Sequence, residues 1–195
     1  MLKSKIQNRY ERHDCKRVCQ GDILRDLKFK AVKEEEHLFD IFLPYAIVLS
    51  QDCDLHYGLT IQTNPTDQSD GQLHNQFLPN ILFSPAFPAE LAKDGTHLYG
   101  LFNVVQDKKD SQTWKLIKQN HNERYYFLQA HTDYQIPDLL IDFKTYYTLP
   151  KDYFLSLYNA CYLATVNELF REHLSQRFSN YLNRIGLPDL KTPSG

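Results

Sequence analysis

The chain has 195 residues, 42% apolar and 24% charged, which is enough for one well-buried core and short for two. A formal net charge of -2 excludes recruitment to nucleic acid or an anionic membrane by global charge alone. No stretch approaches the roughly 18 apolar residues that span a bilayer, and the basic start has no apolar h-region, so the chain reads as cytoplasmic and free of membrane.

Tyr (13) and Phe (12) dominate the aromatics and Met is nearly absent, which suits strands better than a Leu/Ala bundle. Cys15, Cys19, Cys53 and Cys161 read as reduced thiols, since nothing points to export.

Residues 1–20 form a basic lead-in, with Lys3, Lys5, Arg9, Arg12, Lys16 and Arg17 against two acids, compatible with a short helix. Gly21-Asp22 punctuates. Leu27, Phe29 and Ala31 then alternate with polar residues at the period of a half-buried strand. Lys33 to Glu36 reads as a charged turn and His37 to Leu43 as a second strand. Pro44 interrupts. Tyr45 to Leu49 is wholly apolar, the mark of a central strand buried on both faces.

Asn64 to Asn75 reads as a mobile loop. Phe77 to Phe83 is apolar again, but Pro79, Pro85 and Pro88 allow only an edge or broken strand. Ala89 to Lys93 fits one helical turn closed by Asp94-Gly95. His97 to Val105, Thr113 to Lys118, Arg124 to Gln129, Leu139 to Ile141 and Lys144 to Leu149 read as strands. Pro150 ends the β region. Asp152 to Leu169 reads as helix, and Phe170, Leu174, Phe178, Tyr181 and Ile185 form the apolar stripe of a helix stopped at Gly186.

The chain therefore reads as one domain over 1–195. It has a lead-in (1–20), a β-rich body (21–149), a helical tail (150–186) and a frayed end (187–195). The fold class is α+β: an SH3-like or related partly open β-barrel with a C-terminal helical tail.

Ser50 to His56 stands out, because it follows the most apolar strand, where a rigid element positions side chains. Three chemistries compete for it. Cys53 can be a nucleophile with His56 or a distant His as base, although Asp52 and Asp54 oppose a thiolate. Cys53, Asp54 and His56 can hold zinc, with His13-x-Cys15-x3-Cys19 as the nearest second cluster. Or Cys53 is a small buried hydrophobe while Asp52 and Asp54 bond turn amides. Without zinc, the reading implies no cofactor.

Two further groups can meet phosphate or nucleic acid. Arg124 lies beside Tyr125, and His173, Arg177, Asn180 and Arg184 form a polar stripe along the last helix. Pairing of those arginines with Asp52, Asp54 or Asp142 is the competing reading. A seam between the acids of the body and the arginines of the tail follows from it.

Gly21-Asp22-Ile23, a charged loop and Tyr45-Ala46-Ile47-Val48-Leu49-Ser50 resemble the opening of MazF/PemK-like toxins. That resemblance implies a small SH3-like barrel. The chain has no match for that family's catalytic Arg and Thr arrangement. Ser50 to Asp54 and Arg171 to Phe178 also look like segments of an uncharacterised prokaryotic protein family. The leading expectation is a non-catalytic binding or regulatory component of a prokaryotic toxin or defence module, contacting a partner protein or nucleic acid. A hydrolase or nuclease built on Asp52, Cys53, Asp54 and His56 is the first alternative, and a zinc-binding protein the second.

Overall fold

A computed structural model of the protein describes residues 9–14, 17–32, 38–60 and 77–184. The expected features at 1–8, 33–37, 64–75 and 185–195, and Cys15 of the expected second metal cluster, lie outside them.

Tyr45 to Leu49 sets the architecture. Ala46 and Val48 enter one hydrophobic cluster, while Ile47 and Leu49 enter another. A strand apolar on both faces must lie inside a sheet covered on both sides. It is the end of β3 (Leu38–Val48), which pairs antiparallel with β2 (Asp22–Val32). The remaining strands are β1 (Tyr10–Glu11), β4 (Asn80–Pro88), β5 (Tyr125–Leu128), β6 (Leu139–Asp142), β7 (Tyr147–Pro150) and β8 (Tyr162–Val166). Their order is β1-β8-β2-β3-β4-β6-β5, with β7 also on β4. The protein is α+β, with this antiparallel sheet curled into a half-barrel and a helix at its C-terminal end.

Helices cover both faces. From α6 (Glu168–Leu182), Leu174 and Phe178 pack on Ile23, Ile47 and Phe143, as the spacing of four predicts. Opposite, α5 (Lys151–Cys161) brings Phe154 and Tyr158, and α1 (Asp52–Thr60) brings Leu55, onto Leu24, Leu27 and Val48. The short helices α2 (Ala89–Lys93) and α4 (Ser111–Lys118) close a third cluster over Tyr125, Phe127 and Leu140. One further turn, α3 (Tyr99–Phe102), lies between them.

Several expectations are corrected. The described part of the lead-in is not helical: Tyr10 and Glu11 pair with β8, and Val18 and Cys19 are buried. Pro44 does not break β3. It falls between the paired Leu43 and Tyr45, opposite Asp26, whose φ of 56° absorbs the irregularity. Nor is β4 an edge. It pairs β3 on one side and β7 and β6 on the other, and Pro85 falls where β7 has ended and β6 not begun. Ser84 bridges that gap by donating to the Thr145 carbonyl at 2.7 Å.

Residues 97–105 hold α3 instead of a strand, and 111–118 is α4, capped by Asp110, which accepts from the amides of Gln112 and Thr113. The cap overrides the strand-like composition of the segment. The tail is not continuously helical either. Tyr162-Leu163-Ala164-Thr165-Val166 inserts as β8 between β1 and β2, because five consecutive residues that are all buried fit a sheet interior.

Candidate functional site

The Ser50–His56 segment does not leave the sheet as a loop: Asp52 to His56 are the first turn and more of α1. Asp52 faces the protein. Its carboxylate accepts from the Gln20 amide at 3.1 Å and pairs with Arg17 at 3.4 Å and Arg171 at 3.8 Å. The expected seam with the tail helix thus forms, but through Arg171 instead of Arg177 or Arg184. Cys53, Asp54 and His56 point outward and are exposed. Cys53 Sγ approaches Gln51 Oε1 at 3.7 Å and Asp54 Oδ1 at 3.6 Å. Cys53 is therefore not the enclosed hydrophobe of the third reading.

Each expected phosphate-binding residue has a protein partner. Arg124 donates from Nε and Nη2 to the two oxygens of Asp142, at 2.7 and 2.5 Å. Burial pushes the Asp142 carboxyl up, but the Arg124 bonds, His97 and the Lys144 amide outweigh it and hold the group below its ordinary value. Arg177 donates to the Asn122 carbonyl. Tyr126 has one hydroxyl proton. Donating it to the Phe170 carbonyl at 3.2 Å leaves Tyr126 to accept from His173 Nδ1, also at 3.2 Å. Burial, then the nearby Arg177, lowers the His173 pKa, and burial pushes Tyr126 up to about 12. Arg184 pairs with Glu123 at 3.4 Å between two exposed side chains.

A different region has the form of a binding site. β3 pairs with β2 along its length, but with β4 only from Tyr45 to Val48. Among the described residues, Leu38 to Pro44 have a strand neighbour on one side only. Facing that open edge is the segment from Phe87 to Leu101. Between them lies a cavity of about 390 Å³ lined by Phe39, Phe42, Pro44, Leu91, His97 and Leu101, among others. A second, of about 760 Å³, shares Phe39, Ile41, Gly100 and Leu101 and adds Tyr99, Phe102 and Tyr147. Phe42 is 46% exposed and Tyr99 59%.

Gly95 shapes the far wall. It takes φ 81°, and a Cβ there would lie 2.0 Å from the Gln106 carbonyl oxygen. The Gln106 amide donates to the Gly95 carbonyl at 2.8 Å, so the chain folds back tightly and presents α3 to β3. His97 lines the groove with its side chain fully buried and both ring nitrogens without a hydrogen-bond partner. Its Nε2 stands 3.7 Å from Asp142 Oδ2, and its ring meets Phe87 edge-on at 5.0 Å.

Reading 97–105 as a strand hid His97, and reading Pro44 as a break hid the open edge. The Gly95, Gly100 and Asn103 breakers, spaced too closely for a strand of nine, were the available signal. No family model, no curated protein and no solved structure matches this chain.

Proposed function

We propose that the protein is a non-catalytic binding component that takes an extended, apolar segment of a partner protein along the open edge of β3. The observation that carries this is the apolar groove between Leu38–Pro44 and α3, with His97, whose ring nitrogens make no hydrogen bond, in its wall. An open strand edge offers a row of backbone donors and acceptors, and neighbouring pockets take alternate side chains. Phe39, Phe42, Tyr99 and Leu101 supply those pockets.

A partner protein is favoured over nucleic acid because Arg124, His173, Arg177 and Arg184 all engage protein groups. The SH3-like form of the half-barrel is part of this proposal, supported by the resemblance carried by Gly21-Asp22-Ile23 at the start of β2 and Tyr45 to Ser50 at and beyond the end of β3. A toxin or defence setting rests on that resemblance alone.

Selection of a displayed random-peptide library on the full chain tests the reading. Enriched peptides should be apolar at alternate positions and should slow amide exchange at Leu38 to Leu43. Enrichment of peptides that leave those amides unchanged would overturn it.

A further inference from the structure

His13, Cys19 and Asp22 come together where the lead-in enters β2. One ligand-type atom from each, an imidazole nitrogen, the thiol sulfur and a carboxylate oxygen, all lie within 4.8 Å of one another. His13 Nε2 is 3.1 Å from Asp22 Oδ1. Two ligands bound to one ion at about 2 Å each stand at that separation in a tetrahedral shell.

The environment of Asp22 has the form of an outer shell. Thr165 Oγ1 donates to Oδ1 at 2.6 Å, while the Cys19 amide and the Tyr158 hydroxyl donate to Oδ2, each at 2.7 Å. Tyr162 accepts from the His13 amide at 3.1 Å, and its ring lies 4.6 Å from the His13 ring. Partners from β8 and α5 thus fix the carboxylate and the backbone of His13 before any ion arrives. Such supporting bonds orient metal ligands and tune their affinity.

Charge balance points the same way. Asp142, another fully buried carboxylate, is neutralised by Arg124. Asp22 is equally buried, and among the described residues no Lys or Arg pairs with it and its one ion-pair partner is His13. An entry path exists, because Asp22 is enclosed and Cys19 nearly so, while the His13 side chain is 24% exposed.

We propose that His13, Cys19 and Asp22 form a binding site for a divalent cation of the zinc class, with water as the fourth ligand. On binding, Cys19 gives its thiol proton to solvent and coordinates as thiolate; His13 coordinates through neutral Nε2 and Asp22 through Oδ1. A mixed nitrogen, sulfur and oxygen set suits zinc and disfavours magnesium or calcium. The site is independent of the groove beside β3.

Cobalt(II) chloride, added to chelator-treated full-length protein, is the probe. One equivalent per chain should produce the near-ultraviolet charge-transfer band of a cobalt–thiolate bond, and zinc chloride should bleach it stoichiometrically. Cys19→Ser should abolish the band, and His13→Gln should weaken cobalt binding at least about tenfold with the far-ultraviolet circular dichroism unchanged. Tyr158→Phe, which touches no ion, should weaken it about tenfold through the outer shell. Absence of the band in the wild-type chain overturns the proposal. So does a band that survives Cys19→Ser and is carried by another cysteine, or one indifferent to His13→Gln.

Discussion

Arg124 grips Asp142 through two parallel hydrogen bonds, Nε to Oδ1 at 2.7 Å and Nη2 to Oδ2 at 2.5 Å, at the end of β6. The same guanidinium lies over the Tyr125 ring at 4.9 Å. A residue that reads as a phosphate contact in one dimension is a clamp between β5 and β6 in three.

Removing one half of that clamp strands a fully buried charge. Arg124→Gln should lower stability at neutral pH by about 3–5 kcal/mol. The folded Asp142 carboxyl is held below its ordinary value of 3.8, so its contribution is present above that pH and is lost as pH falls through the folded value. The gap between wild type and variant, read from urea midpoints, should therefore narrow on acidification below about pH 4. A gap constant down to pH 2 would show that the pair does not hold the fold.

The α6 stripe gives a second test. Arg177 reaches the Asn122 carbonyl from a helix whose Leu174 and Phe178 are buried. Arg177→Ala should cost about 1–3 kcal/mol in urea unfolding, the range for loss of a charged hydrogen bond. It should leave binding to a mixed-sequence DNA duplex, and its salt slope, unchanged. A slope reduced by about one unit would restore the nucleic-acid reading.

Thiol chemistry separates Cys53 from Cys19. Cys53 is exposed on α1, whereas Cys19 is 5% exposed beside the buried Asp22. Native labelling of metal-free protein with iodoacetamide, followed by peptide mapping, should modify Cys53 and spare Cys19 until urea is added. Cys53→Ser should leave the urea midpoint within about 0.5 kcal/mol of wild type, as an exposed position does. A larger loss, or labelling of Cys19 first, would contradict the burial pattern.

His97 bears on the groove directly. Its ring nitrogens are buried without hydrogen bonds, a state that costs about 1–3 kcal/mol unless a ligand completes it. His97→Phe should leave stability within about 1 kcal/mol of wild type, relief of the buried nitrogens offsetting the lost support of Asp142, while weakening any peptide selected on the β3 edge. A variant that unfolds would assign His97 to the core. One that binds the peptide unchanged would remove it from the site.

Composition and periodicity determined the parts of the molecule that depend on near neighbours. The alternation of Leu27, Phe29 and Ala31 gave β2, the run from Tyr45 to Leu49 gave a strand buried on both faces, and Phe170, Leu174 and Phe178 gave the covered face of α6. These patterns are visible because burial demands them residue by residue. Tertiary structure decided the rest. Tyr162 to Val166 became β8 because a gap between β1 and β2 was waiting for a strand, which no local preference encodes. Asp22 met His13 through an approach of the lead-in to β2, and Tyr158 and Thr165 through contacts spanning 136 and 143 residues. Asp52 found Arg171 and not Arg177, since helix rotation is set by packing and not by the charges it carries. The open edge of β3 was the least legible feature, because an unpaired edge is defined by which strand fails to reach it, and that is a property of the sheet as a whole.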